Sequence, residues 1–119
     1  MVFDDNGAMI FVSVAVPNSP INAPTMTRQL AILVIIKKNI TEETRQVMNN
    51  IKGILNAAHL EFNNVVKASI FLKDLNDFEE INVEYARYFS ENNAPARECI
   101  EVSRLPKDVN VEISVIAAR

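Results

Sequence analysis

At 119 residues, 49% hydrophobic and 23% charged, the chain is long enough to bury a core and too short for two, so residues 1–119 are expected to form one domain. A formal net charge of −3 leaves no basic footprint for DNA or RNA. One cysteine excludes an internal disulfide, and the apolar run from Leu30 to Ile36 is far shorter than the ~20 residues a membrane helix needs.

The opening Met1-Val2-Phe3-Asp4-Asp5 lacks the basic region of a signal peptide, so the expectation is a cytoplasmic protein. Ala8 to Val16 is rich in β-branched residues and is bounded by Gly7 and Pro17, which predicts a strand. Asn18 to Pro24 holds two prolines among small polar residues and predicts a loop. Thr27 to Ile36 is strand by composition.

Asn39 to Ala58 predicts the clearest helix. Asn39 or Thr41 can cap it, and Glu42 and Glu43 fall in the first turn, where the helix dipole favours negative charge. Val47, Met48, Ile51, Ile54, Leu55 and Ala58 share one face, with Arg45, Asn49, Lys52 and Asn56 opposite. His59 sits at the helix end and has no partner at metal-ligand spacing, so its role is structural. Val65 to Leu72 reads as a strand covered on at least one side. Asn76 followed by Glu79 has the form of a capping box, opening a second helix striped by Phe78, Ile81, Tyr85 and Phe89. Tyr85, Tyr88 and Phe89 read as helix packing rather than as a base-stacking platform.

Two alternating strands close the chain, near 97–103 and 109–117, joined by a turn at Arg104 to Asp108. Ile100 and Val102 alternate with Arg97, Cys99, Glu101 and Ser103. Val111, Ile113 and Val115 alternate with Glu112, Ser114 and Ile116. The order β-β-α-β-α-β-β predicts an α+β domain, a mixed β-sheet with two helices packed on one face. The second face is only partly polar, which suits burial in a homo-oligomer. Arg97 offers a planar fork that grips a carboxylate, and a glutamate such as Glu112 can hold a water or pass a proton. That pair points to chemistry on a small carboxylic acid. Cys99 reads as a small buried residue rather than a nucleophile.

The run Asn63-Asn64-Val65-Val66-Lys67-Ala68-Ser69-Ile70-Phe71-Leu72-Lys73-Asp74-Leu75-Asn76-Asp77-Phe78, then Asn82, then Pro95-Ala96-Arg97 through Glu112-Ile113, strongly resembles the Rid family of reactive intermediate deaminases, YjgF type. The likeness is legible from about Asn39 to the C-terminus. It implies a chorismate-mutase-like fold and a homotrimer with a ligand cleft at each subunit boundary. It also implies hydrolysis of small 2-imino and enamine acids, of the 2-aminoacrylate type, to 2-keto acids and ammonia. Arg97 would then bind the substrate carboxylate and Glu112 would position the attacking water. Cys99 would lie beside the substrate mainly through its backbone, and Asn82 and Ser13 would line the cleft. No metal or organic cofactor is implied.

Phe11-Val12-Ser13 matches the start of a family strand that normally continues Gly-Gln, whereas Val14-Ala15 follows here. The family's upstream Gly-Pro-Tyr segment has no counterpart, and both tyrosines, Tyr85 and Tyr88, fall in the predicted second helix. These departures define the alternative, a non-catalytic trimer that binds small carboxylates or regulates. Ribonuclease activity, a further alternative, is opposed by the acidic charge.

Overall fold

Capping chemistry opens the first helix of the computed structural model, which describes the backbone at residues 10–14 and the chain from 39 to 118. The predicted loop at Asn18–Pro24 and strand at Thr27–Ile36 lie outside the described residues. Helix α1 spans Ile40–Ala57, and Asn39 is its cap: its Oδ1 accepts the Glu42 N–H at 2.8 Å. Thr41, the other candidate, donates its hydroxyl to Glu80 instead. Val47, Met48, Ile51 and Leu55 are buried, with Ile54 and Ala58 partly so, while Arg45, Asn49, Lys52 and Asn56 face water. The helix ends at His59, which takes the left-handed conformation at φ 57°. The His59 and Leu60 N–H groups then return to the Asn56 and Leu55 carbonyls at 3.0 and 2.8 Å, a Schellman-type closure.

Four strands make one mixed sheet among the described residues: β1 (Ile10–Val14), β2 (Val65–Leu72), β3 (Ala96–Glu101) and β4 (Val111–Ala117), in the order β1-β4-β2-β3. Strand β4 runs antiparallel to both β1 and β2, and β3 runs parallel to β2 at the sheet edge. Parallel neighbours need a crossover, and helix α2 (Phe78–Ala86) supplies it. A register shift between Val65 and Lys67 lets Val65 and Ala68, three apart, both face the core, and leaves Val66 outside. The core lies between the sheet and the two helices, formed by Val65, Ala68, Ile70 and Leu72 of β2, the odd-numbered residues of β4, the inner face of α1, and Ile81 and Tyr85 of α2.

Four readings change. The closing strands are not neighbours, because β2 lies between them. The Asn76–Glu79 capping box does not form: Asp74 caps a 3-10 turn at Leu75–Asp77 by accepting the Asn76 N–H, and α2 begins only at Phe78. Tyr88 and Phe89 lie just beyond the helix end.

The fourth change concerns β3. Register places Arg97, Cys99 and Glu101 beside Ala68, Ile70 and Leu72, all three buried against the helices. Ile100 pairs with Phe71 on the opposite face and is 48% exposed. On an edge strand, pairing with β2 rather than hydrophobicity decides which residues face the helices.

Glu43 has a larger part than helix-dipole compensation. It is buried and accepts both the backbone and side-chain N–H of Asn110, at 2.7 and 2.9 Å. This fixes the start of β4 to the first turn of α1. Arg104–Asp108 is the expected turn, closed by an ion pair at 2.7 Å, with its proline and charges in water and Leu105 buried.

Candidate active site

Helix α2 presents Phe78, Asn82 and Tyr85 at spacings of four and three, so all three lie along one side of it. Arg97 reaches this side from β3. Its guanidinium carbon lies 5.2 Å from the Tyr85 ring centre and 5.7 Å from that of Phe78, within cation–π range. Its Nη1 donates to Asn82 Oδ1. Among the described residues no carboxylate pairs with it. Two ring faces and one neutral amide therefore hold a full positive charge whose remaining N–H donors stay available to a ligand.

Beside Arg97 opens a cleft of about 610 Å³, lined by Tyr85, Ala86, Phe89, Ser90, Glu91, Ala94, Pro95 and Arg97. Its wall combines the apolar Ala86, Phe89, Ala94 and Pro95 with the polar Tyr85, Ser90, Glu91 and Arg97. Burial pushes the Tyr85 phenol up to about 12 against the opposing pull of Arg97, so it is protonated at neutral pH. Burial also pushes the Cys99 thiol up, and Arg97 again opposes it. Cys99 lies on the helix-facing side of β3, the same side as Arg97.

The structure thus gathers Arg97, Asn82 and Cys99. Glu112 and Ser13 lie elsewhere in the chain. Glu112 pairs with Phe71 whereas Arg97 pairs with Ala68, three positions apart along β2, an odd offset that puts them on opposite faces. Ser13 pairs with Ser114 on β4, and β4 and β2 both separate its strand from β3. Glu98 points away from Arg97, as alternation requires. It accepts from Ser69 at 2.7 Å and meets Lys67 at 3.3 Å, and these contacts hold its carboxyl below the usual range. Phe78 and Tyr85 were legible only as core stripe. Their signal was the placement of Asn82, a polar residue, on that same stripe between two rings. Among the described residues no cluster of His, Cys, Asp or Glu can hold a metal ion, and no helix is long and apolar enough to cross a membrane.

Comparison with known proteins extends the likeness well into the front third. The endoribonuclease L-PSP family matches residues 6–119. A RutC family protein of Pyrococcus horikoshii is 54% identical over 83 residues, 70% of this chain and 65% of that one. The match therefore spans slightly less than two-thirds of that relative's length. The 2-iminobutanoate/2-iminopropanoate deaminase of Salmonella typhimurium is 39% identical over 117 residues, 97% of this chain and 83% of its own. The crystal structure of the YjgF gene product from E. coli superposes with a TM-score of 0.70 at 38% identity, covering 98% of this chain and 84% of that one. Its fold is the one described above.

Proposed function

This chain belongs to the endoribonuclease L-PSP family, also known as the Rid or YjgF/RutC family, and on that premise we propose that it is an enamine/imine deaminase of small 2-imino acids. The observation that carries the reading is Arg97, a guanidinium at a cleft whose partners are all uncharged. A 2-imino acid brings the missing carboxylate, which the fork binds through paired N–H donors.

Once the carboxylate is fixed, the imine carbon sits at a defined place. An imine is already electrophilic, so the protein needs to supply position and a proton path rather than a strong nucleophile. Water adds its oxygen to C2, giving a carbinolamine. The C–N bond then breaks, ammonia leaves with the two protons that entered as water, and the 2-keto acid remains. Glu112 orients the water, accepts its proton and returns it to the departing nitrogen. The Cys99 backbone and Asn82 flank the bound acid, and Ser13 lines the cleft from β1. No metal or organic cofactor takes part.

Glu112 and Ser13 meet Arg97 only if they come from a second copy of the chain. The proposed assembly is a cytoplasmic homotrimer of one Rid-type domain per subunit, with three boundary clefts. The open sheet face, where Ile100 and Val66 are about half exposed, supplies apolar surface for it.

The test is hydrolysis of freshly generated 2-aminoacrylate, followed as pyruvate above the spontaneous rate. Arg97→Ala should lower kcat/KM by about a hundredfold or more, the scale of losing a charged, paired hydrogen bond. A mixture of Arg97→Ala and Glu112→Gln chains, refolded together, should recover part of the rate, because some boundaries then carry both intact groups. Absence of acceleration from a well-folded trimer that still binds 2-ketobutyrate would leave only the non-catalytic binding reading.

A further inference from the structure

Tyr85 carries more than a ring. Its side chain is 5% exposed, and its hydroxyl is closed off from solvent with no hydrogen-bond partner among the described residues. Native folds pair nearly all such groups, so an unpaired one calls for a reason. Three observations locate the reason here. Tyr85 forms part of the same cleft wall as Arg97. The guanidinium lies over the Tyr85 ring. The residue one turn earlier on that side of α2 is Asn82, whose amide oxygen already engages Arg97.

We propose that Tyr85 is a second ligand-contacting residue of this cleft, its hydroxyl donating to a carboxylate oxygen of the acid held on Arg97. The inference rests on the reading of the cleft as a 2-imino and 2-keto acid site, and deepens it. Arg97 is long and exposed, and it covers the ring that bears the hydroxyl. A carboxylate that draws the guanidinium toward itself uncovers the phenol and supplies the acceptor it lacks. The phenol is suited to donating, because burial keeps it protonated through the neutral range. One carboxylate is then read twice, by a cation and by a neutral donor.

The test is binding of 2-ketobutyrate to the assembled protein by calorimetry, with thermal unfolding of each variant alongside. Tyr85→Phe keeps the ring under Arg97 and removes only the oxygen. It should weaken binding about tenfold, the value of a hydrogen bond to a charged group, without lowering Tm. Wild-type affinity in Tyr85→Phe, together with lost binding in Arg97→Ala, would overturn the proposal and leave the site reading intact. A lowered Tm with unchanged affinity would overturn it too, showing a bond internal to the fold. If the wild-type protein neither binds the keto acid nor hydrolyses the imine, the site reading falls and this inference falls with it.

Discussion

Helix α2 holds arginines on two of its sides, and the two sides treat the same charge in opposite ways. Toward α1, Glu84 is buried and takes Arg45 in a two-pronged bond, Nε at 2.9 Å and Nη2 at 3.1 Å, with Arg87 adding a third contact at 3.2 Å. Toward β3, Arg97 meets an amide and two aromatic faces. The first arrangement uses up its charges and ties α1 to α2. The second orients a charge without neutralising it. Whether a cation is neutralised or left with its charge uncompensated is decided here by one choice on the helix, a carboxylate at Glu84 and an amide at Asn82.

Making the second side resemble the first is the most severe way to break the contrast. Asn82→Asp places a carboxylate where the amide oxygen now accepts from Arg97. The new pair should satisfy the guanidinium and repel an incoming carboxylate. At short range and intermediate dielectric, that costs on the order of 2–3 kcal/mol of ligand affinity, or roughly 30- to 150-fold. Stability should hold or rise, because an ion pair has been added. Calorimetry with 2-ketobutyrate and a thermal melt together read both quantities. Undiminished affinity in Asn82→Asp would mean that Arg97 is not held for a ligand at all.

The converse change acts on stability and leaves the rate alone. Glu84→Gln keeps the shape but removes the charge that Arg45 and Arg87 share. A fully buried pair would lose more, but these arginine side chains are 44% and 65% exposed, so solvent screens much of the effect. A loss of about 1–2 kcal/mol is expected in chemical denaturation, with imine hydrolysis unaltered. The same pair sets a pH dependence. The hydrogen bond from Arg45, opposed by burial and aided by the charges of Arg45 and Arg87, holds the Glu84 carboxyl below its ordinary value. Its contribution is therefore full above the unfolded carboxylate pKa, ~4.3, and is lost as pH falls from there through the lower folded value. Denaturation curves taken across that acid range should be flatter for Glu84→Gln than for the wild type.

How far these two sides can be read from the chain differs for physical reasons. Elements built on local rules were legible: the Asn39 cap, the amphipathic face of α1, and strand β2, whose observed ends coincide with the predicted Val65 and Leu72. The Asn76–Glu79 box failed although its residue types are right, because the competing Asp74 turn claims the Asn76 N–H first. The orientation of β3 was not legible, since an edge strand takes its facing from the partner it pairs with, and Ile100 makes the wrong face look apolar. Arg97 was found through the Pro95-Ala96-Arg97 pattern, not through periodicity. Phe78 and Tyr85 merged into the core stripe, because a ring that supports a guanidinium and a ring that packs on leucine have the same spacing. The separation of Glu112 from Arg97 depends on strand order, which alternation along each strand does not encode.

The smallest effect tests whether the Glu84 side depends on a tie between elements or merely on charge. Arg87 is three residues from Glu84, just past the end of the same helix, so its contact joins nothing that the backbone has not already joined, and its side chain is mostly in water. Arg45 comes from α1, holds Glu84 through two parallel bonds and has to be ordered across the helix interface. Arg87→Ala should therefore cost only about 0.3–0.5 kcal/mol, the value of an exposed helical pair. In a double-mutant cycle with Glu84→Gln, the coupling of Glu84 to Arg45 should exceed its coupling to Arg87. Equal couplings would mean that Glu84 responds to nearby positive charge without regard to geometry. The contrast with Arg97 would then reduce to the presence or absence of a carboxylate, with no separate role for the bond that crosses from α1 to α2.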